Sequence, residues 1–147
     1  MSDNPNLQIL QGAYSRWAES RGGTADEVID MFDEQVEMVS VLGPDIPDAV
    51  AGVHLGRAGA AAYFEGLLRD WEMVDWEVQQ YVDGGEVIAV VSRCAWRNRA
   101  TGRVIDTPKI DVHTFRDGKV VRFQEAYDTL GFAQALGIVD PVLAPHG

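Results

Sequence analysis

Two aspartates, one arginine and one histidine are the side chains of this sequence best suited by type and spacing to move protons. Asp111 and His113 stand two apart in the run Ile110-Asp111-Val112-His113, so in a strand both leave the same face. Between Ile110 and Val112, Asp111 is either lodged among apolar groups as a buried acid or lies on a wet sheet face. Asp128 follows Tyr127 and precedes Thr129, where it either faces a site or caps a helix. Arg93 can orient either carboxylate, or form a structural ion pair, and His113 can be satisfied by a neighbouring carboxylate. Other chemistries have little to work with. His54, His113 and His146 are far apart and Cys94 is the lone cysteine, so a metal site is not expected. No dinucleotide-binding glycine fingerprint, P-loop or nucleophile elbow is present, so no cofactor is expected either. Cys94 reads as a small core residue within a strand rather than as a nucleophile.

The 147 residues are enough for one domain with a proper core, and 46% apolar with 24% charged residues is an ordinary globular balance. The longest aliphatic run, Val87 to Val91, is far too short to cross a membrane. The polar, acidic start lacks the basic region of a signal peptide, and with a lone cysteine this predicts a cytoplasmic protein. The net charge of −11 argues against nucleic-acid binding. That charge is uneven: residues 1–92 hold 4 basic and 17 acidic side chains, residues 93–147 hold 8 and 6. The basic cluster between Arg93 and Arg122 either holds carboxylates in place or solvates an exposed sheet face.

The elements that must position these groups are readable from periodicity. Leu7, Leu10, Tyr14, Trp17 and Ala18 follow helical spacing. Thr24-Ala25-Asp26-Glu27 is a capping box, predicting a short helix that buries Val28, Ile29 and Phe32. Residues 35–42 alternate as a strand, residues 43–56 read as a long loop, and a third helix carries the stripe Ala60, Phe64, Leu67 and Trp71. From residue 74 onward the chain reads as sheet, with turns at Asp83-Gly84-Gly85, Ala100-Thr101-Gly102 and Asp117-Gly118. Thr129 is expected to cap a last short helix ending at Gly137. The order predicts an α+β fold with one domain over residues 6–137 and a tail over residues 138–147.

The two N-terminal helices, Gly56 opening the third helix, and the ending from Phe115-Arg116-Asp117-Gly118 through Phe123-x-Glu125-x-Tyr127-Asp128 resemble the nuclear transport factor 2-like and ketosteroid isomerase-like superfamily, its SnoaL-like branch most of all. The resemblance implies a curved, antiparallel-rich sheet forming a cone, closed by the N-terminal helices over an apolar pocket. It implies roles residue by residue. The oxyanion-hole carboxylate of the steroid isomerases falls on Asp111 and its tyrosine near Trp17, or on Tyr14 one turn earlier; the base position falls on Ser40. The outer members of the epoxide hydrolases' Arg–Asp–Asp set fall on Arg93 and Asp128, and the middle one on Ala95. The acidic residue of SnoaL-type cyclases falls on Asp128, and their histidine falls loosely on His113.

Together these readings predict a cofactor-free isomerase, cyclase or dehydratase for a small hydrophobic carbonyl or hydroxyl compound. Asp128 would be the base, Asp111 the buried acid or oxyanion donor, and Arg93 the orienting group. Tyr14, Trp17, Ser40, Phe64, His113 and Tyr127 would line the substrate site. The alternatives are a non-catalytic binding domain of the same fold that keeps the cavity, and an assembly domain, which a core without a cavity above about 300 Å³ would favour over both other readings. Outward apolar residues on strands 86–99 and 103–122, among them Cys94, Trp96 and Val104, predict a homodimer through the sheet.

Overall fold

Alternation with a period of two dominates residues 71–127, and the computed structural model, which describes residues 3–140, turns it into four long strands. The elements are α1 (Pro5–Glu19), α2 (Ala25–Asp30), β1 (Phe32–Ser40), β2 (Val53–Leu55), α3 (Gly56–Asp70), β3 (Trp71–Asp83), β4 (Val87–Asn98), β5 (Val104–Arg116), β6 (Lys119–Tyr127) and α4 (Thr129–Leu136). The strands form one mixed sheet in the order β2-β1-β6-β5-β4-β3. Every neighbouring pair is antiparallel except β1 with β6. Register shifts at Met73/Asp75 and Val78/Gln80 in β3, and at Thr114/Phe115 between β5 and β6, mark bulges that bend the strands. The sheet is not closed into a barrel, and the helices cover its inner face. Among the described residues no helix is long and apolar enough to cross a membrane.

The inner face is set by strand parity. In β5 the odd residues from Ile105 to Phe115 are buried, while the even residues from Val104 to Thr114 face outward. In β4 the even residues Ile88, Val90, Ser92, Cys94 and Trp96 are buried. Cys94 and Trp96 therefore point inward rather than outward, because they share parity with the aliphatic core of β4. Val104 does face outward, and the outer face also carries half-buried Ala89, Val91, Ile110 and Val112, with Val91 opposite Ile110 and Ala89 opposite Val112.

Five local expectations change. Thr24 is the N-cap of α2, but its side chain makes no capping hydrogen bond. Phe32 lies beyond α2 and begins β1, wholly buried, whereas α2 contributes Val28 and Ile29 only as partly buried packing. Trp71 opens β3 instead of closing the stripe of α3, and Tyr63 takes a buried place on that helix. The loop before α3 contains the short edge strand β2. At the far end Asp128, not Thr129, caps α4, its Oδ1 accepting from the Gly131 N–H at 2.9 Å. Residues 141–147 of the expected tail lie outside the described residues.

Gly66 shows how closely the loop between β1 and β2 is pressed on α3. A Cβ there would lie 2.2 Å from the Cβ of Ala49, so the helix tolerates its interior glycine for the sake of that approach. Gly66→Ala is expected to lower stability by about 1–3 kcal/mol, against the usual gain from glycine to alanine in a helix; urea denaturation gives the sign.

Candidate functional site

Among the described residues, all four helices and five of the six strands contribute to the cavity between the helices and the inner face of the sheet. From α1, the helical spacing of Leu7, Leu10, Tyr14 and Trp17 turns all four inward. Trp17 meets the Phe64 ring of α3 edge-on, with centroids 5.6 Å apart, and the Trp76 ring of β3 at 6.3 Å. Phe132 of α4 packs on Trp71 and Tyr127. The cavity these rings leave is about 90 Å³, smaller than the roughly 300–1,000 Å³ of most small-molecule sites.

Into this apolar space the sheet sends a continuous polar chain. β5 supplies Lys109, Asp111 and His113 at alternate positions, all on the inner face and all buried. β6 supplies Glu125, directly opposite Asp111 in the register. The Tyr14 hydroxyl donates to Asp111 Oδ2 at 2.5 Å and lies 2.8 Å from His113 Nε2. Tyr14 has one proton, which goes to the carboxylate, so His113 Nε2–H donates to the tyrosine oxygen and Nδ1 is the bare nitrogen. Nδ1 is buried without a hydrogen-bond partner among the described residues. Lys109 Nζ donates to Asp111 Oδ1 and forms an ion pair with Glu125 Oε1 at 3.1 Å. Tyr63 of α3 donates to the same Glu125 oxygen at 2.6 Å. The chain therefore runs His113–Tyr14–Asp111–Lys109–Glu125–Tyr63.

Burial sets the protonation of this chain. Desolvation, with Asp111 opposing and Lys109 adding to it, pushes His113 down to about 4, so its ring is neutral near pH 7. Desolvation alone would lower Lys109, but Asp111 and Glu125 outweigh it and hold the ammonium well above its ordinary range. Tyr14 and Tyr63 are raised by burial and then by Asp111 and Glu125 respectively. Tyr127 is raised by burial and then by Glu125. Cys94, also in the cavity wall, is pushed up by burial to about 12, so its thiol is inert at neutral pH.

The structure brings together Tyr14, Trp17, Phe64, Asp111, His113 and Tyr127 from the sequence-derived set; all line the cavity. It does not bring the other three there. The Asp128 carboxylate is spent on capping α4. Arg93 is on the outward parity of β4 and pairs with Asp106 at 2.9 Å, both side chains at least half exposed. Ser40 sits at the end of β1 behind the wall, its hydroxyl accepting from the Leu42 N–H at 3.1 Å and hydrogen-bonded to the side chain of Tyr127, which does line the cavity. Of the two candidates for the tyrosine position, Tyr14 makes the bond to Asp111. Sequence reasoning missed Lys109, Glu125 and Tyr63. Lys109 shares the parity of Asp111 and His113, and Glu125 that of Phe123, so alternation carried the signal for both. Tyr63 stands one residue before Phe64 on a helix, where no pattern marks it as polar and inward.

The sequence profile of the SnoaL-like domain matches residues 11–123 of the chain. Solved structures with the same fold include an NTF2-like protein from Burkholderia xenovorans LB400, 27% identical with TM-score 0.76, the match covering 92% of this chain and 98% of that one. A putative SnoaL-like polyketide cyclase from Jannaschia sp. CCS1 is 15% identical with TM-score 0.75, over 97% and 98% of the two chains. A protein of ketosteroid isomerase-like fold from Catenulispora acidiphila DSM 44928, in complex with trimethylamine, is 11% identical with TM-score 0.70, over 88% and 92%. A comparison with curated protein sequences gives no match. The α+β architecture with its open six-stranded sheet, and a domain profile spanning most of the chain, together place this protein in the SnoaL-like family, on the nuclear transport factor 2-like and ketosteroid isomerase-like fold.

Proposed function

We propose that the protein is a cofactor-free acid–base enzyme that moves a proton on a small, mostly apolar carbonyl or hydroxyl compound, in an isomerisation, cyclisation or dehydration. The observation that carries this reading is the buried Lys109–Asp111–Tyr14–His113 chain in the wall of an aromatic cavity. Charged groups out of water are a poor way to build a core, since well-packed apolar residues of the same volume serve stability as well or better. Asp111 is the proton-transfer group in this scheme, because it meets the cavity between a hydroxyl and an ammonium that respond to its charge. Tyr14 returns the proton, and neutral His113 fixes the direction of the tyrosine hydroxyl. Asp128 and Arg93 have no part in it, given where their side chains are engaged. The raised Lys109 stays protonated, so it offers charge rather than a Schiff-base nitrogen.

Deuterium exchange at the α-carbon of small cyclic ketones, followed by NMR, tests the reading. The wild-type protein is expected to accelerate exchange, and Asp111→Asn to lower that rate by about 10²–10⁴-fold while the fold persists. A panel on which the wild type shows no exchange above buffer, or equal rates for the two proteins, overturns it.

One observation favours a second reading. A cavity of about 90 Å³ is below the size at which a ligand-binding role is the default, which supports a non-catalytic assembly domain. Both readings accommodate a homodimer through the outer sheet face, where Ala89, Val91, Ile110 and Val112 form a half-buried apolar strip. Light scattering is expected to give twice the 16.1 kDa chain mass, and Val91→Arg to return the monomer.

A further inference from the structure

Two hydrogen-bond donors in the cavity wall have no acceptor among the described residues. An ammonium has three N–H donors; Lys109 hydrogen-bonds Asp111 Oδ1 and is ion-paired with Glu125 Oε1 at 3.1 Å, which leaves at least one N–H without an acceptor. Lys109 is 8% exposed and lines the cavity. The other donor is the Trp76 indole Nε1–H, buried and unpartnered in the same wall. The two come from different strands, β5 and β3, yet Lys109 Nζ lies 5.6 Å from the centre of the Trp76 ring. Buried donors without partners are costly and uncommon. Both Asp111 oxygens are bonded and Glu125 Oε1 accepts from Tyr63, while Glu125 Oε2 and His113 Nδ1 are buried acceptors that neither donor reaches.

We infer that Lys109 and Trp76 form the oxygen-binding end of the site, recognising a neutral ring compound through one carbonyl or enol oxygen. This rests on the acid–base reading above and adds where the substrate oxygen goes. A second cation would meet the Lys109 ammonium. A free anion would face a lysine already flanked by two carboxylates. A neutral acceptor oxygen suits both donors and becomes a better partner as charge develops on it in proton abstraction from the adjacent carbon. Asp111, bonded to that same lysine, is then within reach of the neighbouring C–H.

Cyclohexanone and methylenecyclohexane, the same ring with oxygen replaced by CH₂, are the probes, with affinities measured by ligand-observed NMR. The ketone is expected to bind about 10–100-fold more tightly. It should also move the Trp76 indole N–H resonance downfield, a peak assigned by its loss in Trp76→Phe. Trp76→Phe is expected to reduce the preference about tenfold while leaving the hydrocarbon's affinity nearly unchanged. The charge-neutral triple variant K109M/D111N/E125Q is expected to lose the rest of it. Equal affinities for the two rings, no binding of either, or an unmoved Trp76 resonance overturns the inference. Discrimination that persists while Asp111→Asn leaves proton exchange unaffected would remove the catalytic reading and keep the oxygen site. Exchange that depends on Asp111 without any preference for the ketone would do the reverse.

Discussion

Lys109→Met is expected to destabilise the fold by about 3–5 kcal/mol, because it leaves Asp111 and Glu125 buried without their shared cation. Both carboxylates are nearly inaccessible, at 2% and 4% exposure, so water cannot take over. Domains of this size have only about 5–15 kcal/mol in total, and the variant should unfold at a much lower urea concentration. The loss comes from unpaired charge, not from missing lysine packing. The triple variant K109M/D111N/E125Q, which removes all three charges with little change in shape, is therefore expected to recover most of the stability. A urea midpoint for Lys109→Met close to that of the wild type would show that the cluster is open to solvent.

Acid should act on the fold through His113. In the unfolded chain an imidazole takes up a proton as pH falls through about 6.5; in the folded protein His113 stays neutral until about 4. Between these values the unfolded state binds more protons, so stability falls as pH falls. Over the whole window the loss from this residue is on the order of 3 kcal/mol, and it is absent above the unfolded value. His113→Asn should abolish this component, so the wild-type and variant stability curves converge on acidification from pH 7 to pH 4. Parallel curves would mean that the ring is protonated in the folded state or reached by water.

The fold was legible because its strands are long and their alternation is clean. Period-two patterning in residues 87–98 and 104–116 requires an inner and an outer face whatever the sheet's final curvature. The same patterning placed Asp111 and His113 together. It also held more than was read from it: Arg93 lies on the opposite parity from Cys94 and Trp96, which puts it outside, and Lys109 lies on the inner parity of Asp111. Residue type misled in both cases, since a lysine reads as a surface residue and an arginine near carboxylates as a site residue. Asp128 had two readings from sequence, facing a site or capping a helix. The choice rested on the backbone at Gly131, which a pattern of side chains does not encode. The pairings across elements, Tyr14 with Asp111 and Tyr63 with Glu125, span 97 and 62 residues. Only the bend of the sheet and the seating of two helices bring them into range.

The single parallel pairing in the sheet orders events in time. β1 finds its neighbour in β6, so that Arg122 reaches Glu37 across 85 residues. Such a distant closure must be reached before it rewards the chain. β3 to β6, linked by short turns, can meander together first, whereas β1 and β2 have no place in the sheet until β6 exists. During synthesis β1 and β2 therefore wait, with Phe32, Val36 and Met38 uncovered, until β6 has emerged. The proton chain is born equally late, because Glu125 is among its last residues to be made. Folding of this protein should thus be slow for its size, with a window of exposure in which the hydrophobic face of β1 is most open to wrong partners.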